Sequence, residues 1–579
     1  MRAFYSSASA VMVLTLIALV PSSALAGWSV DGATIRATTS NIPLVSGCSD
    51  GGYGTFVAWQ EESSPGQPVL RVQHVLSTGD VDPAWPADGV VAAGNPMTRA
   101  ELGMLPDRDG GVYLWWKEDA ALFVNRLDGG GASPEGWSGG AIPVGNVYSD
   151  SPRPSVIEDG AHGLYLAWSS PLGASGSRPI LVHLSPSGDE SGGDVGPPAI
   201  NTTRAYYPQV ALAPDGGAFV AWGTWSPDAS KPREWRLRRL DASGANVSGW
   251  PTAGLSKGAF NREVIPGTAQ SAILGLSPDG RGGVFLLRGV LGAPSSPEYP
   301  PDLGAVLERF QGDGQPALDW PAGGANAFGL GIGVYLDAGA EGSFHVLSDA
   351  QDGALVGMPE FHDHGTFFAF HRLTPTGSTD YFTGARGKLT GYEYAPKSGG
   401  GLFLGSFNQN GPYQYYDYDA FLAVTQSPAD PGWTDFYEDH GEILQHWFGD
   451  IGLAPTGDGG SVLFWSQAHD RFGLFARRFT SSGEVTGVPP AAEGPLAIHS
   501  LRFARGAGIR ARVTLPNAGP ATLGLFDVAG RRHASLDLSG RVGTMDLVLP
   551  GTESVRSGIY FARLDAGPAS ARGRVMVLR

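Results

Sequence analysis

The chain has 579 residues, with Gly 86, Pro 44, 42% apolar and 10% aromatic residues; this is the composition of many short strands joined by turns, not of a disordered polymer. The net charge of −17 divides unevenly: residues 495–579 carry 12 Arg and 5 acidic residues, a surplus of +7, which leaves the remainder at −24. An acidic body argues against nucleic acid or an anionic membrane surface as a partner, and a single cysteine, Cys48, excludes an internal disulfide or a cysteine metal cluster.

Residues 1–26 read as a secretory signal peptide. Arg2 supplies the positive charge, Val11-Met-Val-Leu-Thr-Leu-Ile-Ala-Leu-Val20 the apolar core, and Ala24-Leu25-Ala26 a small-x-small cleavage site. The expected mature chain starts at Gly27, is exported through the periplasm, and is secreted or held at the cell surface. No later run of about 18 apolar residues is present, so no membrane span is expected after signal cleavage. Cys48, beside Ser49-Asp50-Gly51-Gly52, reads as a turn thiol without a nucleophilic role.

Residues 27–490 repeat one pattern. In Leu212-Ala-Pro-Asp-Gly-Gly-Ala-Phe-Val-Ala-Trp222 a Gly-rich turn precedes an apolar strand ending in Trp. Aligned on the glycine five residues before that end, the units fall at Gly54, Gly111, Gly163, Gly217, Gly283, Gly342, Gly401 and Gly460, with steps of 57, 52, 54, 66, 59, 59 and 59 residues. A strand-only repeat of this period suits the four-stranded blade of a β-propeller. Trp59, Trp116, Trp168, Trp222 and Trp465 end the strand in five units, whereas units five to seven place Arg288, Leu347 and Ser406 there. The degenerate units leave seven or eight blades open. An apolar residue at nearly every position predicts a strand covered on both faces.

A second, half-polar strand follows in many units, as in Leu70-Arg-Val-Gln-His-Val-Leu76 and Leu474-Phe-Ala-Arg-Arg-Phe479. Several units then show a Trp-x-x-x-Gly segment: Trp85 to Gly89, Trp250 to Gly254, Trp320 to Gly324, Trp137 with the nearby Gly140, and a weaker copy at Trp433. Trp28 to Gly32 matches the same frame while unit eight lacks its own copy, so residues 28–35 are expected to pair near unit eight and close the ring. Residues 289–304, 349–366 and 407–419 read as longer inserts, the natural place for a binding surface if they share one end of the ring.

After residue 490 the pattern changes. Arg510-Ala-Arg-Val-Thr-Leu-Pro516, Ser557-Gly-Ile-Tyr-Phe-Ala-Arg-Leu564 and Arg574-Val-Met-Val-Leu-Arg579 are among at least five strand-like segments, which predicts a small Ig-like β-sandwich over 495–579. The fold class expected for the whole chain is therefore all-β: a propeller followed by a sandwich.

Two resemblances attach to these motifs. Leu525-Phe-Asp-Val-Ala-Gly-Arg531, Ser557 to Leu564 and the closing Val-Met-Val-Leu-Arg579 resemble the C-terminal sorting domain of type IX secretion cargo, and equally the Ig-like domain of flagellar hook-capping proteins. That resemblance implies a bacterial exported protein whose tail is read by secretion machinery, although Ser500-Leu-Arg-Phe-Ala-Arg505 stands where type IX cargo commonly has a Pro-Asn-Pro-like segment. The repeats resemble bacterial extracellular β-propeller repeats of the Asp-Gly-x-Gly-Gly…Trp type, and loosely the Asp-box hairpins of sialidases. No unit completes the Asp-box pattern; unit one comes nearest with Ser49-Asp50-Gly-Gly-Tyr-Gly54.

Few residues suggest chemistry. His362, Asp363 and His364 after Glu360, and Glu438, Asp439 and His440 with Glu442 and His446, are the weak metal-ligand candidates, against a reading as solvated loop charge. The turn Asp107-Arg-Asp109-Gly-Gly111 is a weak calcium candidate, against a reading in which Asp107, Asp215 and Asp279 cap turn backbone. No nucleophile elbow, His-Glu-x-x-His or P-loop stands in a supporting context, so no catalytic or cofactor-binding residue is assigned. Tyr413, Tyr415, Tyr416 and Tyr418 suit stacking on a sugar or peptide, or covering a loop shoulder. The function expected is a surface binding module for an unknown protein or glycan. The alternatives are a glycan-active hydrolase or lyase with its site at the propeller axis, and a purely structural module.

Overall fold

The computed structural model describes Trp28 and residues 32–577, apart from 95–98, 138–139, 149–153, 174–175, 197–203, 227–233, 260–272, 292–302, 329–344, 349–352, 363–364, 386–388, 397–401, 411–416, 428–429, 438–447, 458, 469–471, 480–495, 505–507, 516–520, 529, 539–542, 553–554 and 567–568. The described residues are all-β. Strands between Ala33–Ala37 and Phe472–Phe479 form eight four-stranded antiparallel sheets.

Six of the eight Gly-rich turns of the sequence, those at Gly54, Gly111, Gly163, Gly217, Gly283 and Gly460, join the first and second strands of a sheet, whereas Gly342 and Gly401 lie outside the described residues. The second strands are Thr55–Ser64, Val112–Glu118, Leu164–Leu172, Ala218–Trp225, Val284–Leu291, Ala354–His362, Leu402–Asn410 and Ser461–Ala468. Apolar side chains cover both faces of the strands that carry Trp. Phe56, Val57, Ala58 and Trp59 are all fully buried, as are Phe219, Val220, Ala221 and Trp222. A strand with two packed faces must sit between neighbours, and the neighbours here are the adjoining sheets. Leu44–Ser49, the first strand of sheet one, lies against Arg99–Pro106 of sheet two on one side and Phe448–Pro455 of sheet eight on the other. The sheets thus follow one another in a closed, propeller-like ring.

The closing strand comes from the other end of the chain. Ala33–Ala37 pairs antiparallel with Phe472–Phe479 and completes the eighth sheet, in the frame that Trp28 and Gly32 set. Ser466 Oγ donates 2.9 Å to the Ile42 carbonyl across the same seam. Closure pairs an edge that an open array would expose.

Three expectations change. The sixth turn glycine is Gly353, which directly precedes Ala354–His362, and not Gly342; Leu347 lies on the first strand, His345–Ser348, and Met358 takes the position that Trp holds elsewhere. The reason is that this hairpin carries neither the Trp nor a long apolar run to mark it. The stretches 349–366 and 407–419 are not simple inserts, because Ala354–His362, Gly365–Leu373, Leu402–Asn410 and Asp417–Ser427 run into them. The cores of all three, 292–302, 363–364 and 411–416, lie outside the described residues; in chain order each falls between the second and third strands of its sheet. Trp433 lies within the fourth strand Asp430–Tyr437, opposite Thr425, and is not a copy of the Trp-x-x-x-Gly connection.

Residues Ala497–Ala504, Gly508–Leu515 and Gly543–Leu549 form a three-stranded sheet; Ala521–Asp527, Arg532–Asp537, Gly558–Ala566 and Ala569–Val577 form a four-stranded one. Alternate residues of both sheets meet in one core that includes Ile509, Val513, Leu523, Leu525, Leu549 and Leu564. No helix among the described residues is long and apolar enough to cross a membrane.

Candidate ligand cleft between the third and fourth sheets

The turns use their acidic groups internally. Asp107 Oδ1 accepts from the Asp109 and Gly111 backbone N–H groups at 2.8 and 2.7 Å, and Oδ2 accepts from Arg126 at 2.8 Å. Asp279 repeats this with Arg281, Gly283 and Arg309. Asp215 accepts from Gly217 N–H at 3.3 Å and from Arg239 at 2.8 Å. The partners sit on the third strand, so each carboxylate ties a turn to its own sheet. These oxygens are filled by donors rather than arranged around a cation.

His74 plays the same part in sheet one. It lies 2.8 Å from Asp82 and 3.2 Å from Asp50. Burial opposes its protonation, but the two carboxylates outweigh burial and push its pKa up to about 9. In sheet three His183 stands 2.7 Å from Asp159. Burial alone would raise the Asp159 pKa, yet the hydrogen bonds from His183 and from the Ala161 and Gly163 amides hold it below the usual range.

The Trp-x-x-x-Gly connection divides its two ends between two sheets. The glycine faces its own sheet: a Cβ on Gly89 would lie 2.9 Å from the ring of Trp59, on Gly254 2.8 Å from Trp222, and on Gly32 2.5 Å from Trp465. Trp28, Trp85, Trp137 and Trp250 face the next sheet, at the turn joining that sheet's third and fourth strands, whereas Trp320 donates at 2.8 Å to the Leu307 carbonyl of its own sheet. Trp28 Nε1 donates to the Ser77 carbonyl at 2.8 Å, Trp85 to Gly129 at 3.0 Å, Trp137 to Pro186 at 3.0 Å and Trp250 to Gly312 at 3.3 Å. In each case the indole lies against the left-handed glycine two residues further on, which are Gly79, Gly131, Gly188 and Gly314. For Trp85, Trp137 and Trp250 the other neighbour is the aromatic ring at the second position of their own sheet's second strand, a position held by Val462 in the sheet that Trp28 serves. Centroid distances are 5.7 Å for Phe56–Trp85, 5.8 Å for Tyr113–Trp137 and 6.1 Å for Phe219–Trp250.

Sheet three has no such Trp. Its third strand, Gly176–Leu184, returns through the short turn 185–189 straight into Glu190–Asp194. The seam with sheet four is left with a cavity of about 320 Å³ lined by Tyr165, His183, Asp194, Arg238, Ser243 and Gly244, among others. Tyr165 is the equivalent of Phe56 and Tyr113, and it stacks on His183 at 4.5 Å. Gly244 is the equivalent of Gly131, with φ +79 in both, but nothing lies within 4 Å of a Cβ placed on it. Tyr165 donates its hydroxyl to the Gly216 carbonyl at 2.9 Å, which fixes the ring in the wall, and burial pushes its pKa up to about 12. Arg238 Nη1 donates to the Val195 carbonyl at 2.8 Å and Nε to Asn246 at 3.0 Å; partial burial lowers its pKa. Burial raises that of Asp194.

The sequence-chosen residues lie elsewhere. His362 ends the second strand of sheet six, opposite Gly365. Asp363, His364, Glu438, Asp439 and His440 lie outside the described residues, as do Glu442, His446, Tyr413, Tyr415 and Tyr416. Among the described residues no group of three or more His, Cys, Asp or Glu is placed to hold a metal ion. Tyr418 is on the third strand of sheet seven, opposite Gln409. Cys48 is a strand residue rather than a turn residue; it is buried, and desolvation raises its pKa, which suppresses the thiolate. The cleft was visible in the sequence only as the lack of a Trp segment in unit three.

No family model and no curated protein matches the chain. Among solved structures it is similar to PorZ, a surface component of the type IX secretion system of Porphyromonas gingivalis, at 12% identity and a TM-score of 0.27, covering 93% of this chain and 82% of that one. It is also similar to the Dos1 propeller, at 12% identity and a TM-score of 0.40 over 78% of this chain and 95% of that one. A PL25 ulvan lyase shows 12% identity and a TM-score of 0.39 over 78% and 96%. At these values the case for a site rests on the geometry above.

Proposed function

We propose that the chain is an exported binding module, secreted or held at the cell surface, that takes its ligand in the cleft between sheets three and four. The observation that carries this reading is the cavity itself. It occupies one seam of the ring at a position that four other seams fill with an indole, and its walls combine an aromatic face with an arginine, a histidine and a carboxylate. Concave, partly apolar sites with a few fixed polar groups are what ligand pockets look like. Residues 1–26 supply the export signal. Residues 495–579 form an Ig-like sorting or anchoring unit read by secretion machinery. The exposed Ile559, Phe561 and Met576 on its four-stranded sheet support that role, since Ile559 and Met576 are opposite one another and Phe561 is two residues along the same strand.

The test compares the parent with Ser191→Trp, which plugs the cleft from an exposed lining position on the fourth strand of sheet three. Both are screened against a glycan array and a panel of purified extracellular proteins. The expected result is a ligand bound by the parent and lost by the plugged variant. A ligand that both bind equally overturns the cleft as the site. Release of new reducing ends or unsaturated products from a bound glycan moves the assignment to a hydrolase or lyase.

A further inference from the structure

We infer that the occupant of this cleft is a tryptophan side chain carried by a partner polypeptide, which docks as the indole that sheet three lacks; the inference rests on the cleft being the binding site. The ring repeats one recognition unit, so its filled copies show what an unfilled one with the same parts accepts. The copies filled by Trp85, Trp137 and Trp250 offer an indole three things: an aromatic ring at the second position of the second strand, a left-handed turn glycine, and a backbone carbonyl at the second residue of that turn; the Trp28 copy offers the glycine and the carbonyl, with Val462 at the ring position. The seam between sheets three and four offers all three. Tyr165 supplies the ring and Gly244 the open face. Ala242, second in the turn 241–245, supplies the carbonyl at the position of Ser77, Gly129, Pro186 and Gly312.

A second difference confirms that this carbonyl is kept from internal donors. Arg126 and Arg239, at the third-strand position opposite the aromatic ring, also reach the next turn, donating to Pro186 at 2.7 Å and Gly312 at 2.9 Å. Sheet three has His183 at that position, paired with Asp159. Both internal donors to the next turn are thus replaced at one seam. Among the described residues, nothing in the chain donates to Ala242. The shape calls for a flat ring and the carbonyl for a ring N–H, which together define indole rather than phenyl or an aliphatic group. The chain's own copies arrive on a backbone turn and not as a free ring, which makes a polypeptide the donor.

The probe is the octapeptide Asp-Pro-Ala-Trp-Pro-Ala-Asp-Gly, the sequence of residues 82–89, labelled and titrated against the full chain by fluorescence polarisation. A peptide with Leu in place of Trp is the control. Expected are saturable binding of the Trp peptide, at least tenfold weaker binding of the Leu peptide, loss of binding in Ser191→Trp, and a rise in melting temperature with the Trp peptide alone. Ser243→Trp plugs the cleft from the opposite lip should the first variant fold poorly. Equal binding of the two peptides, or none of either, overturns the tryptophan inference. If a screened ligand is nevertheless blocked by the plug, the cleft stands as a binding site for another chemistry. Trp-peptide binding that survives both plugs overturns the location.

Discussion

The seam between sheets one and two and the seam between sheets three and four are built from the same parts with one substitution. In the first, Trp85 fills the space between Phe56 and Gly131 and donates to Gly129. In the second, Tyr165 and Gly244 face each other across a cavity. The ring therefore tolerates a seam without its indole, since its stability comes from eight hydrogen-bonded sheets and from the second-strand cores. What the indole adds is local, and what its loss leaves is a shaped space. In a repeat architecture a binding site can arise by removing one copy of a structural residue, with the other copies keeping the frame rigid around it.

The largest effect that separates the seams is expected from Trp85→Ala. It opens a second cavity at a position where the structure depends on the fill, and should lower stability by about 3–5 kcal/mol, read from urea unfolding. Loss of less than about 1 kcal/mol, the scale of a single net hydrogen bond, would show that the indoles are decoration and would weaken the parallel between the seams. Next comes a matched pair. Gly131→Ala and Gly244→Ala meet the same left-handed strain, φ +79 in each, worth roughly 1–2 kcal/mol. Only the first also collides with neighbours, Val90 at 2.9 Å and Trp85 at 3.1 Å. It should melt at the lower temperature of the two, and identical melting would contradict the open face at Gly244.

The smallest effect is a pH dependence. The folded pKa of His74, pushed up to about 9, lies above its ordinary value of 6.5. Its contribution to stability is then complete below about pH 6.5 and is lost as pH rises through 9. The gap in melting temperature between the parent and His74→Gln should be widest near pH 6 and close by pH 10. A gap that is constant over that range would show that His74 acts by packing against Phe56 alone.

The strand frame was legible because its signals are local. Asp-Gly and Gly-Gly turns, apolar runs and terminal Trp residues placed seven of the eight hairpins, and the match of Trp28-to-Gly32 with Trp85-to-Gly89 revealed the closing strand. Unit six failed because 339–342 and its flanks imitate the turn, while the true hairpin at Gly353 has Met358 in place of Trp. The cleft escaped for a different reason. Composition and spacing report residues that are present, whereas this site is defined by one that is not, set against neighbours over 50 residues away. The division of labour in Trp-x-x-x-Gly, with its ends packed on different sheets, is likewise a three-dimensional fact that spacing does not carry.

The closing strand has a consequence in time. Ile42 and Ser466 meet across 424 residues of sequence. At about 5–20 residues per second of synthesis, the N-terminal strand is made roughly 20–85 s before its partner exists. Through that interval the growing chain has a permanently open edge at each end, and no ring. Folding to the closed form is thereby deferred until almost the whole chain is available.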